Sequence, residues 1–214
     1  MNREQEIRNI LVNNAIKLIA DGGFESATTK AITNSSGKTV QNIKMNEVYI
    51  YRLFGSKEDL YATMFKSLDQ EIFIALRSRV RDYESLEAET KKKLYEIFIR
   101  AWRFLLGNEE RCRCYVRYYY SSYFKGESLK KHNALFAEIV NEFSHIFRDG
   151  ADVSSIMHSV FTALLDFAIR VYNGELKDCE STERHVFNVL YCMMMTYLKT
   201  PDNSEARVSI TTQN

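Results

Sequence analysis

The chain has 214 residues, 45% of them hydrophobic, and a net charge of +1. That length suits one medium domain or a small one joined to a larger one, and that apolar content excludes a disordered chain. The near-neutral balance gives no global polyelectrolyte argument for nucleic acid. Its distribution says more: residues 1–57 carry eight Lys/Arg against five Asp/Glu, and the remainder 21 against 23. A basic head on an acidic body points to an anionic partner at the N-terminal end. The opening MNREQEIRN has no apolar h-region, so no signal peptide is expected. No run of eighteen apolar residues exists, so no membrane span is expected either. Without a secretory signal, Cys112, Cys114, Cys179 and Cys192 read as reduced thiols in the cytoplasm.

One Pro and eight Gly favour long, uninterrupted helices. Ile7, Ile10, Leu11, Ala15, Leu18 and Ile19 recur at three and four, one face of a helix from about Arg3 to Asp21. Gly22-Gly23 supplies its stop. Ser26 or Thr28 can cap a second helix running to about Ser36-Gly37. A short helix follows from a capping Asn46 to Phe54, and Gly55 breaks it. Ser56, with Glu58 and Asp59 in the next turn, opens a long helix to about Asp82. Five more helices are predicted over Leu86–Leu106, Arg111–Phe124, Leu129–Phe147, Val153–Tyr172 and Ser181–Lys199. Residues 201–214 are polar and read as a frayed tail. No alternating strand pattern competes, so the fold class is all-α.

Residues 3–60 resemble the DNA-binding domain of the tetracycline-repressor (TetR) family. The likeness is carried by Gly23-Phe24, Thr28-Thr29-Lys30-Ala31-Ile32, Gly37, Ile50-Tyr51-Arg52-Leu53-Phe54 and Ser56-Lys57-Glu58, in the family's order. It implies a three-helix helix-turn-helix domain over 1–57 and a six-helix regulatory and dimerisation domain over 58–200. It implies a cytoplasmic homodimer that binds a palindromic double-stranded operator, most simply as a repressor, released by a small effector. One departure stands out: Lys38 to Lys44 are extra, and Met45-Asn46 resume the register. Seven residues are nearly two helical turns, a phase error of about 20°. Either the second helix is lengthened, with Gly37 inside it, or it ends at Gly37 and a longer loop follows. The alternative function is a helical ligand-binding or adapter protein whose head has lost DNA affinity through this insertion.

The chemistry of such a head is physical. Free N–H groups at the starts of the helices near Thr28 and Ser56 suit phosphates. Thr28, Thr29, Lys30, Tyr51 and Lys57 are the candidate backbone contacts, and they fix register with salt-dependent affinity. Base reading would come from Asn46, Glu47, Tyr49 and Arg52. The bland readings stand beside these: Tyr51 as a rim tyrosine of the core, Lys57 as a solvated lysine, Glu47 as a partner of the helix dipole.

In the body, Cys112 and Cys114 lie about 200° apart on a helix and cannot readily share a metal. His132, His145, His158 and His185 show no ligand spacing and read as surface or rim groups. No cofactor is expected. There is no Ser-His-Asp, paired-carboxylate or Gly-rich phosphate motif, so no enzyme is expected. Tyrosines crowd Arg111–Phe124, and their hydroxyls need partners or a wet cavity. An effector cavity lined by Phe98, Trp102, Tyr115, Tyr119 and Phe161 is the reading that the resemblance favours; plain core packing is the other. Phe161, Leu164, Leu165, Phe167, Val186, Phe187, Leu190 and Met194 exceed one core-facing stripe, which suggests a two-fold four-helix interface.

Overall fold

The structure, a computed structural model, describes residues 3–34, 45–83 and 90–199. Among these residues nine α-helices run in order: α1 (Arg3–Gly22), α2 (Thr29–Asn34), α3 (Val48–Phe54), α4 (Lys57–Tyr83), α5 (Thr90–Leu106), α6 (Glu109–Tyr119), α7 (Gly126–Phe143), α8 (Val153–Tyr172) and α9 (Glu180–Met195). The all-α reading is correct. The inserted residues 38–44 lie outside the described residues, as does the 201–214 tail. Met45 is buried, so the core register is regained there.

In the head, Ile7, Leu11, Ala15 and Ile19 of α1 face inward and meet Ala27, Ile32, Ile50 and Leu53. Gly23 ends α1 with φ 76°, a left-handed stop that a side chain would strain. α4 starts beside the head and ends in the body. It packs on α1 and α3 at one end and on α5, α6 and α7 along its length. α1 also lies along α6, where Arg111 donates both to Glu71 of α4 (3.1 Å) and to Asn13 of α1 (3.3 Å). Head and body therefore share one continuous cluster of buried side chains.

Several helix ends differ from expectation. α6 stops at Tyr119, not Phe124. There the Ser121 hydroxyl donates to the Tyr118 carbonyl (2.7 Å) and accepts from the Tyr123 N–H (3.2 Å), replacing the helical ladder. α7 begins three residues early at Gly126 and stops at Phe143, followed by a 3-10 turn over Ser144–Ile146. α9 stops at Met195, not Lys199. The chain straightens so that Phe147 and Leu198 pair across an antiparallel bridge, with Arg148 N–H on the Tyr197 carbonyl (2.9 Å) and Lys199 N–H on that of Ile146 (2.9 Å).

α8 keeps its predicted bounds because Asp152 caps it, accepting from the Ser155 N–H at 3.0 Å. Among the described residues it alone is long and apolar enough to cross a membrane. Within the fold it packs on α5, α6, α7 and α9. The surplus of apolar groups on α8 and α9 is smaller than the sequence suggests. Phe161, Leu164, Leu165, Val186, Phe187, Leu190 and Met194 are all buried within the chain, and only Phe167 of that group stays half-exposed.

Candidate nucleic-acid interface and body cavity

α2 and α3 both pack on α1. Thr28 caps α2, its hydroxyl accepting from the Ala31 N–H at 3.1 Å. Asn14 of α1 steadies α2 from behind by donating to the Ile32 carbonyl (2.7 Å). Arg8 donates to the Leu53 carbonyl and lies over the Phe54 ring, fixing the end of α3. Asn46 accepts from the Val48 N–H at 3.1 Å and so starts α3. With Ile50 and Leu53 turned inward, the outer face of α3 presents Glu47, Val48, Tyr51 and Arg52, all exposed.

Thr28 and Lys30 are exposed beside that face, and Thr29 donates its hydroxyl to the Glu47 carboxylate. This joins the start of α2 to the start of α3. Tyr51, 55% exposed, is not a core tyrosine. Tyr49 is half-buried beneath the Arg52 guanidinium, 4.8 Å from its ring centre, so it supports Arg52 more than it faces outward. Sequence reasoning passed over Val48, which is 65% exposed in the first turn of α3. Its signal was available: a β-branched apolar residue two positions before the buried Ile50, and so about 200° round the helix from it.

Ser56 caps α4 reciprocally: its hydroxyl accepts from the Asp59 N–H (3.0 Å) and donates to the Asp59 carboxylate (2.6 Å). Lys57 follows, half-exposed, with its ammonium 5.7 Å from the ring centre of Tyr61. Tyr61 is buried and donates to the Ala27 carbonyl (2.7 Å), locking α4 to the loop before α2. Burial pushes the Tyr61 hydroxyl well up, so it remains a donor at any ordinary pH.

The body contains a cavity of about 90 Å³ between α4, α5, α7, α8 and α9. Phe98 and Phe161 line it. Trp102, Tyr115 and Tyr119 are not among its lining residues. Trp102 is buried and stacks on Phe98, Tyr115 is buried against Phe65, and Tyr119 is half-buried against Phe124. The tyrosine hydroxyls find partners elsewhere: Tyr118 bonds to the Tyr123 carbonyl (3.2 Å) and Ser128 (3.0 Å), and Tyr172 to the Leu105 carbonyl (2.5 Å).

A buried polar group lies beside the cavity. His132 is not a rim residue. Its Nδ1 sits 2.9 Å from Asp69 Oδ1, and the Tyr115 hydroxyl donates to the same oxygen at 3.2 Å. Asp69 and His132 are both nearly inaccessible. Desolvation, then the Asp69 charge, raises the Tyr115 pKa well above the ordinary value, keeping it a donor. The sequence held a signal for this pair. Asp69 stands in register between Phe65 and Phe73, and His132 in register with Phe136, so each is a polar residue on an apolar stripe.

Among the described residues no three His, Cys, Asp or Glu side chains gather as a metal site. Burial pushes the Cys112 thiol up to about 11 and the Cys114 thiol up to about 12.

An all-helical chain with two short helices at one end of a long connecting helix, and a helical body around a cavity, has the fold of TetR family transcription regulators. The solved structure of such a regulator from Marinobacter aquaeolei VT8 is similar over 89% of this chain and 96% of that one, at 14% identity and a TM-score of 0.71. SmeT, the repressor of the Stenotrophomonas maltophilia multidrug efflux pump SmeDEF, is similar over 92% and 93%, at 17% identity and 0.60. A TetR-like transcriptional regulator from Rhodococcus sp. RHA1 is similar over 91% and 96%, at 15% identity and 0.60. No protein-family model matches the sequence, and no curated protein matches it.

Proposed function

We propose that this protein is a cytoplasmic, TetR-type DNA-binding transcription regulator, a homodimeric repressor of a palindromic operator. The observation that carries the reading is the outer face of α3. Glu47, Val48, Tyr51 and Arg52 stand exposed there, flanked by Thr28 and Lys30 of the α2 start and by Lys57 of the α4 start. Neighbouring helix starts supply N–H donors and a basic group for phosphates, while α3 supplies groups that reach base edges. Thr29 and Tyr49 act one step back, holding Glu47 and Arg52. The half-exposed apolar residues of α8 and α9, including Ile156, Phe167 and Met193, supply the face for a second copy. A two-fold dimer sets its α3 helices about 34–36 Å apart, one DNA turn. The body cavity takes a small, mostly apolar effector that favours a state with the wrong head spacing, so ligand and DNA weaken each other by the same factor.

The test is retention of genomic fragments by the pure protein, followed by sequencing of what is held. A palindromic consensus is expected, and Lys57→Ala should weaken binding to all fragments alike while lowering the salt slope by about 1. Retention of no DNA, or loss confined to one sequence in Lys57→Ala, defeats the DNA reading or the Lys57 role respectively. Sedimentation showing a monomer at micromolar concentration defeats the dimer.

A further inference from the structure

We propose that the body cavity receives the saturated alkyl tail of an amphiphile, tail inward and polar head outward, rather than an aromatic ring or a polar metabolite. The regulatory consequence rests on the effector reading above; the binding itself does not depend on DNA.

The lining comes first. Every described side chain around the cavity is aliphatic, aromatic or thioether, and the walls are helices whose backbone groups are paired within their own ladders. Small-molecule sites ordinarily hold a few placed polar groups that orient the ligand. None stands among the described lining residues here. A polar atom pushed inside would give up water and gain no partner. What enters is hydrocarbon.

Size then separates the hydrocarbons. The cavity holds about 90 Å³. An apolar cavity that takes up benzene measures about 150 Å³. A ring therefore needs a wall to move, and a narrow chain of a few carbons does not.

The walls give the direction. Phe73, Phe136 and Phe161 close one side, with ring centres 5.8 Å apart for Phe73–Phe161 and 6.2 Å for Phe73–Phe136. His132 stands immediately behind them, 5.6 Å from Phe73 and 6.1 Å from Phe136, bonded to Asp69. Leu76, Ile97, Met157 and Val160 keep partial exposure and mark the open side. The methyl end of a chain stops at the phenylalanines, and its head group stays outside, at the mouth.

The test titrates the full chain with n-alkanols from butanol to decanol and with the matching carboxylates, followed by calorimetry. Benzyl alcohol and cyclohexanol serve as ring controls. Affinity should rise about three- to fourfold per added methylene until the cavity is full, then level off. Equal affinity of alcohol and carboxylate shows that the tail alone is recognised. Much tighter binding of the carboxylate identifies a fatty acid as the source; both results support the proposal. Affinity independent of chain length, or rings binding more tightly than heptanol, overturns it.

Ala101→Leu fills the cavity and should cost at least tenfold in decanol affinity. Leu164→Ala enlarges it and should admit benzyl alcohol. Unchanged chain-length profiles in both folded variants overturn the proposal. If decanol binds as expected yet leaves DNA retention untouched, the alkyl site stands and the effector reading fails.

Discussion

The head and the body use polar side chains in opposite ways. In the head, Glu47, Tyr51 and Arg52 are exposed, and the buried side chains of α3, Ile50 and Leu53, are apolar. In the body, Asp69, His132 and Tyr115 are buried and bonded to one another. Removing a head side chain should therefore cost little stability and much DNA affinity. Removing one from the body group should cost stability first, since its partners lose their hydrogen bonds without regaining water.

The largest effect that tests this contrast is expected from Asp69→Ala. It orphans His132 Nδ1 and the Tyr115 hydroxyl in one step and should cost about 3–5 kcal/mol, lowering Tm by roughly 10 °C. A melt unchanged within about 2 °C would show that the group contributes nothing to the fold.

Arg52→Ala should reverse the pattern. Stability should change by no more than about 0.5 kcal/mol, while affinity for the retained consensus falls by about 1–3 kcal/mol and specificity relaxes at one position. A melt lowered as far as that of Asp69→Ala would erase the distinction between the two regions.

Ser56→Ala sits at the junction. Losing the cap should cost about 1 kcal/mol, read as a fall in Tm of about 3 °C.

The smallest effect is chemical. Hydrogen bonds from Ser181 and Thr182 lower the exposed Cys179 thiol to about 7, so its thiolate form predominates above that pH. Its alkylation by iodoacetamide should show a midpoint near pH 7, followed by peptide mapping. Cys112 and Cys114 should react only after unfolding. Early labelling of the buried pair would mean that α6 opens in the native state.

Legibility followed the same divide. The head's chemistry is encoded locally: a stop at Gly23, a cap at Thr28, a break at Gly55 and a reciprocal cap at Ser56 and Asp59 each act within a few residues. Such signals can be read without knowing what packs on what. α8 was legible too, as a continuous apolar run whose bounds the structure keeps.

The body depends on rotation about each helix axis, which sequence periodicity fixes only approximately. Phe98 reached the cavity while Trp102, on the next turn of the same helix, packed beside it. The early ends of α6 and α9 were missed because they come from a serine side chain and from a pairing between Phe147 and Leu198, fifty-one residues apart in sequence. Asp69 and His132 were missed because the apolar stripe each sits on signals burial without naming the partner, which arrives from another helix.

α4 is a single uninterrupted helix of 27 residues, about 40 Å long. It carries Tyr61, fastened to the Ala27 carbonyl, and Phe73, on the cavity wall, about 18 Å apart along one axis. A stiff rod cannot absorb a push at one end by local bending, so it turns the push into a swing. A tilt of about 5° pivoting at Phe73 would carry Tyr61 and the head fastened to it some 1.5 Å sideways. In a two-fold pair the axis would turn one rod's swing into an opposite swing of the other and double the change in reach. The hinge of such a device is then the packing of Phe73 against His132, and its stiffness, more than the size of any bound molecule, sets how faithfully a small displacement is delivered.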